Sequence, residues 1–186
     1  MSVFNESPTY LRQRLFYRGR KFNFDVHSLR LHNGVEVDWE CIRHPGGALA
    51  VPITSKSELV LVKQYRFAVE GRLLEFPAGI IEPDEEALET IKREIQEETG
   101  YRANTWHSLG KFSLAPGYSD EYIYVFLAQD LEKLKHPPGQ DEEEHTEVVL
   151  MTFSEFETAI LKGEPIDAKS ISSFLMTRLF LDKING

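Results

Sequence analysis

Residues 79–101, GIIEPDEEALETIKREIQEETGY, hold eight acidic side chains against two basic ones, Lys92 and Arg93. Positions 85–99 read as one helix closed by Gly100, a favoured C-terminal stop. At 100° per residue, Leu88, Ile91 and Ile95 fall within about 60° of one another as an apolar stripe, and Glu94 and Glu98 sit about 40° apart along its border. Glu97 projects away from that pair, towards solvent. A Glu-rich helix is ordinarily a solvated face. Here, however, two partly shielded carboxylates at i,i+4 repel by roughly 3 kcal/mol at about 5 Å and an effective dielectric near 20. A neutralising cation is expected. Arg93 lies on another face and is better placed to orient Glu97 or a neighbouring loop than to bridge Glu94 and Glu98.

The rest of the composition supports a cation site and excludes other classes. The chain has 186 residues, 41% of them hydrophobic, enough for one well-buried domain with an appendage. Its single cysteine, Cys41, rules out an internal disulfide and reads as packing. MSVFNESPTY lacks the apolar core of a secretory signal, and no apolar run approaches the ~18 residues of a membrane span. A soluble, cytoplasmic protein with no membrane partner is expected. The net charge of −9 is concentrated: residues 79–101 contribute −6 and DEEEHTE (141–147) contributes −5, leaving +2 for the remainder. Such acidity disfavours nucleic acid as a partner and suits a hard cation such as Mg²⁺. The six histidines are scattered without metal-ligand spacing, so zinc is not expected.

Alternating apolar positions in 22–43, around Asn33-Gly34, predict an antiparallel hairpin. Short strands are expected at 48–53, 58–66 and 73–79, then at 107–114, 121–129 and 148–153. Ser154 and Glu157 form an S-x-x-E pattern that predicts a capped helix stopping at Gly163. A last helix is expected from Asp167, burying Ile171, Phe174, Leu175 and Leu179. The fold class is α/β (α+β), a mixed sheet between helices, with a β-rich segment at 1–45 and the main domain at 46–186.

Gly79, Glu85, Arg93-Glu94-Ile95, Glu97-Glu98 and Gly100-Tyr101 match the pattern G-x5-E-x7-R-E-U-x-E-E-x-G-U. A chance match is on the order of 10⁻⁷, so the chain is identified by resemblance with the Nudix hydrolases. Tyr101 replaces the more usual aliphatic residue. The resemblance implies an α/β/α sandwich and a loop–helix–loop binding Mg²⁺ or Mn²⁺. It makes Glu94 and Glu98 the principal metal ligands, with Glu97 close by and the Ala78 carbonyl adding an oxygen. It extends further: LLEFPAGIIEPDE resembles the E-x-P-A-G-x-x-E run of ADP-ribose pyrophosphatases, KQYRF (63–67) their Q-Y-R strand, and GEPIDAKS (163–170) their C-terminal pattern. Pro116, fifteen residues after Tyr101, occupies the place of the proline associated with that branch. Tyr118 lies near the tyrosine linked with dinucleoside-polyphosphate hydrolases, and equally reads as a packed loop aromatic.

The same resemblance supplies roles for residues that composition leaves open. Arg66 reads either as a surface charge or, in this setting, as a phosphate ligand, since a guanidinium fork matches phosphate oxygens. The acidic loop resembles the stretch that carries a catalytic glutamate, matched best by Glu144 with Glu142 as the fallback. Arg93 and Glu97 complete the catalytic set. Trp39 and Glu40 read either as core and rim or as an adenine platform facing Phe22. In the resembled family that platform forms across a homodimer through the 1–45 segment. The implied reaction is hydrolysis of ADP-ribose, a nucleotide-sugar substrate, to AMP and ribose 5-phosphate. The alternatives are another NDP-sugar, a dinucleoside polyphosphate, or a module that binds ADP-ribose without cleaving it.

Overall fold

The computed structural model is described over residues 7–139 and 146–185 and divides into two units, one holding 7–45 with Ser113–Glu121 and the other the remaining described residues. In the first, β1 (Thr9–Arg18), β2 (Asn23–Arg30) and β3 (Glu36–Arg43) form an antiparallel sheet in that order. The β2–β3 connection is the Asn33-Gly34 turn: Gly34 takes φ +82°, and Asn33 Oδ1 accepts from the Val35 N–H at 3.1 Å. Arg43 ties the segment 113–121 to this sheet, donating to Asp25 at 2.8 Å and to Asp120 at 3.1 Å. Tyr118 in that segment is 62% exposed, so the packed-aromatic reading is corrected. A tight turn of successive N–H groups to the Ala115 carbonyl holds its backbone, leaving the ring outside.

In the second unit the chain runs β4 (Gly47–Pro52), β5 (Glu58–Arg66), β6 (Gly71–Glu75), β7 (Ala78–Ile80), α1 (Ala87–Thr99), β8 (Tyr101–Ser113), β9 (Tyr122–Lys133), β10 (Thr146–Thr152), α2 (Phe153–Leu161) and α3 (Ala168–Asn185). The described residues form a four-stranded sheet, β7-β4-β9-β8, and a three-stranded one, β10-β5-β6. β4 pairs antiparallel with β7 and parallel with β9, so the larger sheet is mixed. GALAVP is buried at every position of β4, as a central strand covered on both faces must be. Ala48 and Ala50 face α1 and pack on Ile91 and Ile95, while Leu49 and Val51, equally buried, point to the opposite face. Each isoleucine so buried contributes about 1.5–3 kcal/mol. This contact seats α1 against β4 and β7.

Two expectations about the C-terminal helices need correction. The capping box is Thr152 with Glu155, not Ser154 with Glu157: Thr152 Oγ1 accepts from the Glu155 N–H at 3.2 Å, and Glu155 accepts from the Thr152 N–H at 2.7 Å. Both pairs have the same spacing, and the end of β10 at Thr152 selects the earlier one. In α3, Phe174 is buried as expected, but Ile171, Leu175 and Leu179 are exposed to 37%, 58% and 62%. The inward side of α3 carries Ser170, Ser173 and Thr177, small enough for close approach and bonded along the backbone where Thr177 donates to the Ser173 carbonyl. Among the described residues, no helix is long and apolar enough to cross a membrane.

Candidate active site

The acidic helix presents its carboxylates to β7. Glu98 is 5% exposed, and its Oε2 accepts from the Ala78 N–H at 3.1 Å. Glu94 lies against Gly79, where a Cβ would overlap its carboxylate, so the glycine leaves the space that the Glu94 side chain occupies in this position. Arg93 sits among three carboxylates, donating to Glu94 at 2.7 Å, Glu97 at 3.2 Å and Glu85 at 3.3 Å. It thus reaches Glu94 as well as Glu97, closer to the expected ligand pair than the helix wheel indicated, because a long side chain swings across the i,i+1 angle. Burial disfavours the Arg93 charge, yet the Glu85 and Glu94 carboxylates push its pKa up. Glu85 is held in turn by Thr90 Oγ1 at 2.8 Å, and against the opposing effect of burial Thr90 and Arg93 push its carboxyl below the usual range.

A second charged group lies deeper in the same unit. Glu75 is 1% exposed and receives a two-pronged contact from Arg66, Nε and Nη2 each at 2.7 Å. Lys169 bridges Glu75 to Asp167. Burial alone would raise the Glu75 carboxyl, but the Arg66 guanidinium and Lys169 ammonium hold it down at about 2. Hydrogen bonding to Glu75 raises the Arg66 pKa, and the field of Glu98 adds to it. The Phe76 N–H donates to Ser170 Oγ at 2.8 Å and the Leu74 N–H to the Pro165 carbonyl at 2.8 Å, locking β6 to the segment that opens α3.

Arg66 is therefore not a free surface fork: two of its nitrogens are committed to Glu75. Ala78 meets Glu98 through its N–H. Phe22, Trp39, Glu40 and Pro116 belong to the first unit and are exposed, Phe22 to 47% and Trp39 to 52%, so Trp39 is not core within the chain. Glu142 and Glu144 lie outside the described residues. Sequence reasoning missed Glu75, Lys169 and Asp167 as one assembly. The signal was present: a glutamate inside the apolar run Leu73-Leu74-Glu75-Phe76 must find a partner, and Q-Y-R and I-D-A-K supply it.

The donors near β7 are hard carboxylate oxygens, the chemistry Mg²⁺ prefers. Among the described residues, no three or more His, Cys, Asp or Glu side chains are arranged to hold a metal ion, and the guanidinium of Arg93 stands between Glu85, Glu94 and Glu97. The chemistry of these donors, carboxylate oxygens, is the kind a divalent cation takes.

A model of the NUDIX domain matches residues 43–174, spanning both α1, the box helix of the Gly79–Tyr101 pattern, and the Glu75–Lys169 assembly. The chain belongs to the Nudix family. It is 33% identical over 165 residues to the ADP-ribose pyrophosphatase of Bacillus subtilis (strain 168), covering 89% of each protein. It is also 33% identical over 166 residues to the methanol dehydrogenase activator of Bacillus methanolicus, again covering 89% of each. Among solved structures, a crystal structure of an ADP compounds hydrolase superposes with a TM-score of 0.84 at 28% identity, over 98% of both chains. As a Nudix hydrolase the chain is an enzyme with a mixed α/β fold, and the family generally uses a divalent metal.

Proposed function

We infer that this Nudix enzyme hydrolyses the pyrophosphate bond of ADP-ribose, with water, to AMP and ribose 5-phosphate. The observation that carries this reading is the seating of Glu94 and Glu98 on Ala78–Gly79 in a chain 33% identical to a named ADP-ribose pyrophosphatase. Glu94 and Glu98 hold Mg²⁺ or Mn²⁺, with Glu97 and the Ala78 carbonyl as nearby oxygens. When bound, the metal neutralises charge on the phosphates and lowers the barrier to nucleophilic attack. Arg93 orients Glu97 and Glu85. Arg66, fixed by Glu75, offers its remaining Nη1 to a phosphate oxygen. Glu144, with Glu142 as the alternative, takes the proton of the attacking water.

The first unit supports an adenine site. Tyr10, Leu15, Phe16, Tyr17, Phe22 and Trp39 are all at least 47% exposed on one small unit, large apolar side chains of the kind found at interaction surfaces. In the proposed homodimer, the segment 1–45 crosses to the partner, Phe22 of one chain and Trp39 of the other stack on adenine, and Glu40 accepts from its amino group. Tyr118, exposed rather than packed, favours a second reading in which longer ADP compounds are also cleaved.

The test is product analysis of ADP-ribose, ADP-glucose, GDP-mannose and diadenosine polyphosphates incubated with the enzyme, with and without Mg²⁺. The expected result is AMP and ribose 5-phosphate from ADP-ribose at the highest rate, only with metal. Binding of ADP-ribose without cleavage under Mg²⁺ would make the chain a sensing module instead.

A further inference from the structure

The first unit contains a cavity of about 380 Å³ lined by Arg18, Arg20, Lys21, Phe22, Arg43 and His44. Its charge runs against that of the chain. From Thr9 to Asn23 the sequence carries Arg12, Arg14, Arg18, Arg20 and Lys21 and no acidic residue, in a protein of net charge −9. Part of this excess is neutralised within the unit: Arg14 pairs with Asp38, and Arg43 with Asp25 and Asp120. Arg18 and Lys21, at the cavity wall, have no hydrogen-bond or ion-pair partner among the described residues.

The turn that carries them is fixed. The Gly19 N–H donates to the Phe22 carbonyl at 3.0 Å, and a Cβ at Gly19 would overlap that oxygen, so only glycine closes the β1–β2 connection this tightly. Two uncommitted cations thereby line the cavity together with the anchored guanidinium of Arg43 and the half-exposed ring of Phe22. A cluster of guanidinium and ammonium donors around a pocket of this size matches a phosphate dianion, and the adjoining ring offers a stacking face for a base.

We propose that this pocket is a phosphate subsite for nucleotides carrying a phosphate on the adenosine ribose, in addition to any phosphates at the scissile bond. It rests on the preceding section only in giving Phe22 the adenine. Arg18 and Lys21 are then specificity-determining: they separate a nucleotide with this extra phosphate from one without it.

Titration calorimetry of the intact protein with adenosine 2′,5′-bisphosphate and with AMP tests this. Charge-assisted contacts from two cations predict that the wild type binds the bisphosphate at least about tenfold more tightly than AMP. The R18A/K21A variant should lose that gap while keeping its AMP affinity, and R18K/K21R should retain the gap, which separates loss of charge from loss of fold. Equal affinities in the wild type, or a gap that survives R18A/K21A, would overturn the proposal. The two readings fail separately: a protein that shows the gap but does not cleave ADP-ribose refutes the proposed reaction alone, and one that cleaves ADP-ribose without the gap refutes the subsite alone.

Discussion

Two regions of the second unit gather carboxylates around cations, and they balance differently. In the buried assembly, Glu75 and Asp167 face Arg66 and Lys169, two negative charges against two positive ones, with the contacts made within the chain. At the box helix, Glu85, Glu94 and Glu97 share the single guanidinium of Arg93, within a stretch whose eight acidic residues meet only two basic ones. A closed ion-pair group orders structure, and removing one member leaves an uncompensated buried charge. An acidic surplus seated against a strand is instead set up for a cation from solution. The first region locks β6 to α3, and the second is the proposed place of chemistry.

The largest effect should come from the acidic loop. Glu144→Gln is expected to lower kcat by about 10²–10⁴ with KM and Mg²⁺ affinity nearly unchanged, as for loss of a general base. Glu142→Gln should be much milder; steady-state kinetics giving the reverse ranking would move the proton acceptor to Glu142.

At the closed assembly the effect should be on stability and its pH dependence. The Glu75 carboxyl is held down from 4.5 to about 2, so its stabilising contribution is present above pH ~4.5 and disappears as the pH falls towards 2. Glu75→Gln should cost about 3 kcal/mol at pH 7, converting that shift at about 1.4 kcal/mol per unit, and flatten the acid limb of the stability curve. Urea unfolding from pH 7 to pH 2 checks this: a wild type and variant differing by the same amount across the range would show that the assembly is not held by charge.

In the first unit, Trp39→Ala should raise KM for ADP-ribose roughly 5- to 150-fold, the equivalent of about 1–3 kcal/mol of stacking, and leave Mg²⁺ binding unchanged. An unaltered KM together with a monomer by light scattering would remove Trp39 from the adenine site. The smallest effect is expected on α3, where Leu179→Ala should change stability by less than about 0.5 kcal/mol, since the side chain is 62% exposed. A larger loss would mark that face as covered by a partner.

The box helix was legible because its apolar stripe and its fixed residues point the same way: Ile91 and Ile95 are buried, and Gly100 takes the left-handed φ of +68° that ends the helix. β4 was legible as an unbroken apolar run. β1 was not, since register shifts between Tyr10 and Arg12 and between Gln13 and Leu15 break the two-residue period, and its side chains remain largely exposed. The inward face of α3 was misread because leucines were assumed to seek the core, whereas Ser170, Ser173 and Thr177 allow a closer approach than Leu175 or Leu179 could. Arg66 was identified by type but not by partner, because Glu75 lies nine residues away and meets it only through the β5–β6 pairing. Local periodicity reports helices and strands, whereas charge pairing depends on register.

On the reading proposed above, Glu94 and Glu98 of α1 hold a divalent cation and the Glu75 assembly does not. Thermal unfolding of the wild type, the Glu94→Gln/Glu98→Gln double variant and Glu75→Gln, each with and without Mg²⁺ well above its dissociation constant, tests it directly. At about 100-fold excess over Kd, mass action adds about 2.7 kcal/mol, so Mg²⁺ should raise the Tm of the wild type and of Glu75→Gln but leave the double variant unmoved. Equal stabilisation of all three proteins by Mg²⁺ would place the cation away from Glu94 and Glu98.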